Sequence, residues 1–186
     1  MNALAVPLLA ALVLLAGCAT SSREGRAALS RGSYLEAARH FEESLAQEPG
    51  RASDLFGLGV ARYKLDALDG AQRAFEQAVA QEPALPPAHL YLGLIAIRRG
   101  DPAADVHLAR FLALGPPPRL AAQVDRARRT LPSVPPELRD YVAAGLEDGY
   151  QWAGEVAGAL QAAREAELGW LLDYHIYWMP HYYRRR

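Results

Sequence analysis

Ala46-Gln47-Glu48-Pro49 recurs unchanged as Ala80-Gln81-Glu82-Pro83, 34 residues further on. The likeness extends upstream in the same register. Ala37 and Phe41 return as Ala71 and Phe75, and Phe41-Glu42-Glu43-Ser44-Leu45 aligns with Phe75-Glu76-Gln77-Ala78-Val79. Leu58-Gly59 likewise returns as Leu92-Gly93. A fixed period of this length marks a chain built from one supersecondary unit used several times, each unit burying its apolar face against the next. Pro49 and Pro83 lack an amide donor and clash with the preceding turn, so each closes a helix. Gly59 and Gly93 allow a partner helix to approach, Ala37 and Ala71 are small where helices cross, and Phe41 and Phe75 fill the space between neighbouring hairpins.

The period and these positions resemble the tetratricopeptide (TPR) repeat. The resemblance implies three helix-turn-helix copies near residues 18–49, 52–83 and 86–117. The second copy matches best. The first has Gly25 in place but Glu24 where the pattern wants Leu, so its opening helix, Arg23 to Arg31, is expected to be short and frayed, a cap on the array. The third keeps Leu92, Gly93 and Gly100 but has Asp105 and Ala109 where the other copies have Ala and Phe, so its second helix, Pro102 to Leu114, must pack differently. Gly115-Pro116-Pro117-Pro118 then breaks the chain. Arg119 to Leu131, with Leu120, Val124, Ala127 and Leu131 on one face, reads as a capping helix (118–132) that closes the open end of the solenoid, or as a loose linker helix.

Composition agrees with an all-α chain. Ala and Leu dominate a sequence that is 51% hydrophobic, β-branched residues are few, and no segment alternates with period two. A formal net charge of −1 creates no field for nucleic acid. Of the 20 basic residues, 19 are Arg, leaving Lys64 alone as lysine.

At the N-terminus, Leu4 to Ala16 is apolar apart from Pro7, too short to cross a hydrocarbon core of about 30 Å and suited instead to the core of an export signal. Leu15-Ala16-Gly17-Cys18 resembles the lipobox of bacterial lipoproteins. That resemblance implies a signal peptide over 1–17, cleavage before Cys18 and a lipid on its thiol. Met1-Asn2-Ala3 departs from the usual pattern in carrying no Lys or Arg. Cys18 is the only cysteine, so it cannot close an internal disulfide. One acyl chain anchors marginally, at about 0.8 kcal/mol per buried methylene, and stable anchoring needs more than one. Ala19 after the cysteine resembles the outer-membrane rather than the inner-membrane sorting signal. The expected location is the bacterial envelope, lipid-anchored and periplasm-facing.

The first helices of TPR hairpins line a concave face, where the family takes an extended or helical peptide. Phe56, Val60, Tyr63 and Lys64, then Leu90, Tyr91, Leu94, Ile97 and Arg98, are expected to face it, an apolar and aromatic surface with a basic edge. Chaperone-binding members grip a terminal carboxylate there with Lys and Asn; Val60 and Leu94 stand where the Asn residues would be, which argues against such a clamp. Either a partner segment fills this groove or the protein's own C-terminal helices do.

After Pro132-Ser133-Val134-Pro135-Pro136, apolar residues recur at Leu138, Val142, Leu146, Trp152, Val156, Leu160 and Leu168 with helical spacing. Asp148-Gly149 is the expected break between helices Glu137 to Glu147 and Tyr150 to Leu172. Gly145, Gly149, Gly154 and Gly158 either leave room for close helix contact or sit idly on a surface helix. The tail (133–186 being the C-terminal extension) is dense in Trp170, Tyr174, Tyr177, Trp178, Tyr182 and Tyr183 and closes on Arg184, Arg185 and Arg186. Such residues make binding hot spots and membrane-interface contacts, or simply finish the core.

No nucleophile elbow, phosphate loop or zinc helix motif is present. Asp173, His175 and His181 match no metal-ligand spacing. The sequence therefore implies no enzyme, cofactor, metal or small-molecule substrate. It implies an adaptor that binds another envelope protein or peptide segment and reaches the membrane through its N-terminal lipid. The rival is a membrane-surface module working through the aromatic, Arg-rich tail.

Overall fold

The computed structural model describes residues 21–182, and every regular element among them is helical. Helix α1 covers 21–30, followed by α2 (Tyr34–Gln47), α3 (Ala52–Lys64), α4 (Leu68–Gln81), α5 (Pro86–Arg99), α6 (Ala103–Ala113), α7 (Pro118–Thr130) and α8 (Arg139–Tyr182). Two short 3-10 turns, Leu131–Ser133 and Pro136–Leu138, link α7 to α8. The hairpins α1/α2, α3/α4 and α5/α6 fall on the three expected repeats and stack in chain order, α2 on α3 and α4 on α5.

The repeated Phe and Gly residues set this stacking. The Phe41 ring is fully buried between Gly25 of its own hairpin and Gly57 of the next. A Cβ at Gly57 would come within 2.4 Å of that ring, and one at Gly59 within 2.5 Å of Phe75. Real Cβ atoms do not approach so closely, so the helix crossings depend on the missing side chains. In the third repeat, Leu108 lies against Gly93 in the role Phe75 plays against Gly59. The filler has moved one position along the helix, which is how α6 packs without a Phe at residue 109. Asp105, in the place of the small Ala, turns outward and pairs with Arg128 Nε of α7 at 2.8 Å.

The first repeat is not frayed over its described residues. Ser22 is buried and its hydroxyl donates to Asp54 Oδ1 at 2.7 Å, while Ser44 donates to Asp54 Oδ2 at 2.6 Å. Asp54 is itself fully buried, so one carboxylate ties α1 and α2 to the first turn of α3. Glu24, which breaks the repeat pattern, faces the His40 ring, with Oε2 3.3 Å from Nδ1.

Helix α7 caps the array with Leu120 and Val124 buried. The expected interruption at Asp148-Gly149 is absent: α8 is one helix of 44 residues, about 66 Å long at the α-helical rise. Gly149 serves packing instead of a break. A Cβ there would meet Gln123 of α7 at 2.3 Å, and Gln123 Nε2 donates to the Gly145 carbonyl at 2.9 Å. Gly145, Gly154 and Gly158 have open space where a side chain would stand, so they serve no close contact. No described helix is long and apolar enough to cross a membrane.

Candidate partner-binding groove

Helices α3 and α5, the first helices of successive hairpins, and the capping helix α7 present side chains to α8. The proline-rich turn after α7 reverses the chain, and α8 then packs closely on α5 and α7. Its course can be followed residue by residue. Asp140 Oδ1 accepts from Arg98 Nε at 3.0 Å. Glu147 Oε1 accepts from the Tyr91 hydroxyl at 3.0 Å and pairs with Lys64 Nζ at 2.8 Å. Tyr150 meets the edge of the Tyr91 ring at 6.3 Å.

The expected groove residues are therefore brought together, but the face is largely closed. Leu90, Tyr91, Leu94 and Ile97 are at most 3% exposed, sharing one apolar cluster with Leu120 and Val124 of α7 and Ala143 and Leu146 of α8. These four positions are interior, sharing a core with α7 and the first turns of α8, the second of the two occupants expected for this face. Tyr91 stacks on Phe75 at 5.1 Å and meets Tyr63 edge-on at 5.2 Å, with Phe56 at 5.9 Å. Phe56, Val60 and Lys64 are half-buried. Arg98 lies over the Tyr63 ring and also reaches Asp66 Oδ1 at 2.7 Å.

The exception is the first-repeat end. Here Leu29, Gly32, Tyr34, Val60, Lys64, Gln151 and Glu155 line an open cleft of about 570 Å³. Beyond it, residues 157–166 of α8 are exposed on every side. Leu160 and Leu168 lie open to solvent there.

Burial, then the Glu147 charge, pushes the Tyr63 phenol up to about 12 and raises Tyr91 further. Burial alone raises Tyr150. All three favour the neutral phenol in the fold, while an unfolded tyrosine ionises near pH 10. Stability is then unaffected below about pH 10 and falls as pH rises toward 12, because only the unfolded chain releases these protons. In an alkaline titration read at 295 nm together with helix dichroism, these three of the nine tyrosines should ionise only as α8 leaves the groove. Nine simple ionisations with the helix signal intact would contradict this placement.

Sequence reasoning did not find Glu147, Asp140 or Tyr150 as groove residues. The one available signal was Lys64, the single lysine of an Arg-rich chain, which the fold sets 2.8 Å from Glu147 Oε1. Among the described residues no cluster of His, Cys, Asp and Glu is arranged to hold a metal. Cys18 and Tyr183 to Arg186 lie outside the described residues. Trp170, Tyr174, Tyr177, Trp178 and Tyr182 fall in the stretch of α8 described by its backbone alone.

These features define an all-α helical-repeat solenoid of the tetratricopeptide type with its concave face crossed by its own last helix. Among solved structures, the chain is similar to an O-GlcNAc transferase mutant from Thermobaculum terrenum, with a TM-score of 0.56 and 21% identity over 63% of this chain. It spans only 25% of that protein, so the likeness concerns the repeat fold. The chain matches no protein-family model and no curated protein.

Proposed function

We propose that this chain is a lipid-anchored adaptor of the bacterial cell envelope that holds another envelope protein through its helical-repeat body. One observation carries the reading: the lipobox-like Leu15-Ala16-Gly17-Cys18 precedes the helical repeats in the same chain. Such an arrangement tethers a protein-binding scaffold directly at a membrane surface.

Two acylations at Cys18 would anchor the chain stably, whereas an unmodified thiol would not. The Cys18→Ala variant, expressed in a bacterium fed a clickable palmitate analogue, is expected to lose both the label and its partition into the detergent phase. A variant that keeps them overturns the anchor. For the adaptor itself, the lipidated protein is purified from gently solubilised envelopes and its co-purifying proteins identified. A partner that survives 1 M salt and is lost in the Val60→Asp/Tyr34→Ala variant supports the groove as the docking surface.

The exposed stretch 154–166 of α8, which precedes the tail in the chain, favours one competing reading, in which the aromatic, Arg-rich tail touches anionic headgroups. Deleting Met179 to Arg186 should then abolish liposome association of the unlipidated chain. Under the adaptor reading it changes nothing.

A further inference from the structure

We infer that residues 139–153 of α8 are a displaceable strap occupying the concave face in cis, and that the partner is an amphipathic helix carrying an acidic residue within its apolar face. The inference rests on the adaptor reading only in taking the concave face to be the surface that binds protein.

Three observations carry it. First, the strap meets the inner faces of α3 and α5 through charged and hydroxyl side chains: Lys64, Tyr91 and Arg98 hold Glu147 and Asp140. The groove is thus charge-complementary to a helix with a carboxylate among apolar neighbours, and α8 displays the chemistry that fits: Ala143, Leu146, Glu147 and Tyr150 on one face. Second, the hold is narrow. Within 139–153 only Ala143, Leu146 and Glu147 are buried, with Val142, Tyr150 and Ala153 packed on the core from half-buried positions, while Tyr141, Ala144 and Asp148 are exposed. The strap is joined to the solenoid by residues 131–138, two short 3-10 turns with no fully buried residue, of which Leu131 packs on the core from a half-buried position. Its departure gives up the Gln123–Gly145 hydrogen bond and the shared cluster with Leu120 and Val124 but breaks no backbone hydrogen bond of α7. Third, the cleft between the first repeat and α8 stands open next to Lys64. A partner helix gains its first contacts there, beside Tyr34 and Val60, and advances along the groove as the strap retreats.

A tethered occupant competes at a high effective concentration. Apparent affinity for a partner falls by the fraction of molecules in which the strap is open, so the free partner must outbind it.

The test uses the full chain and a fluorescein-labelled peptide of residues 138–156, the strap itself. In Glu147→Lys the tethered strap faces Lys64 with like charge while the groove is unchanged, and the labelled peptide should bind about tenfold or more tightly than to the wild type. Leu146→Ser, which loosens the strap without a charge, should show a gain in the same direction. Carbodiimide coupling of Lys64 to Glu147 closes the strap covalently, with loss of one water, and should abolish binding. A peptide bearing the Glu147→Lys change should bind none of the chains. The inference is overturned if both strap variants, with helix dichroism retained, bind the peptide no more tightly than the wild type. It is equally overturned if the coupled chain binds it as the wild type does. Neither lipid nor native envelope enters the measurement, so its failure leaves the result of the envelope purification standing.

Discussion

Phe75→Ala is expected to destabilise the chain by about 3–5 kcal/mol, the usual cost of emptying a well-packed aromatic site. Phe75 is fully buried, stacked on Tyr91 and 5.7 Å from Phe56, over the gap left by Gly59. Against a total stability of about 5–15 kcal/mol for a domain, this is a large fraction. For a chain of this size, Tm should fall by about 10 °C. The same truncation at the exposed Leu35 should change stability by less than about 0.5 kcal/mol. The Gly59 contact supplies a second, sharper reading of the same site. In the wild type, Gly59→Ala drives a methyl into the Phe75 ring and should destabilise, although alanine is the better helix former. In the Phe75→Ala background that methyl enters the vacated space, and the change should become stabilising. Thermal melts of the four proteins decide it: a Gly59→Ala effect of the same sign in both backgrounds would show that the ring does not rest on the glycine.

Lys64→Met should release α8 from the groove while leaving the repeats folded. Glu147 is 6% exposed, and Lys64 is its only cationic partner among the ion pairs of the described residues. Removing one member of a buried pair costs about 3 kcal/mol, because the other charge is left in a poorly solvated place. The Tyr91 hydroxyl still donates to the carboxylate, but one neutral donor does not replace the ammonium. Amide exchange is expected to accelerate through residues 139–153, with the amides of α3 to α6 unchanged. Adding Glu147→Gln removes the stranded charge and should restore most of the protection, since a neutral pair in a buried site is often tolerated as well as an ionic one. Uniform acceleration over the whole chain would mean that the strap and the solenoid unfold as one unit.

Most of the repeat architecture was legible in the chain before any coordinates. A period of 34 residues, prolines at 49 and 83, and glycine and phenylalanine at fixed offsets are local constraints written twice, and each has a packing reason that holds within one hairpin and its neighbour. The departures in the third repeat were legible as departures. Their resolution was not, because substituting Leu108 for a Phe one position away depends on how far α6 slides against Gly93. The first repeat was misjudged at its outer edge for a similar reason: Ser22 and Ser44 find their acceptor on Asp54, in another hairpin, and no spacing rule links them.

Concerning the groove, position along α3 and α5 was enough to nominate its lining, since place within the repeat fixes which side of the helix a residue occupies. Whether that lining is open was a different question. It turned on α8 remaining continuous through Asp148-Gly149, which Gln123 of α7 makes favourable by packing into the space the glycine leaves, and on Glu147 arriving beside Lys64, 83 residues earlier in the chain. Helical class, repeat number and the candidate lining thus follow from residues close together in sequence, because helix periodicity is local. The filling of the groove by the chain's own last helix was settled only in three dimensions, because it rests on contacts between segments that nothing but folding brings together.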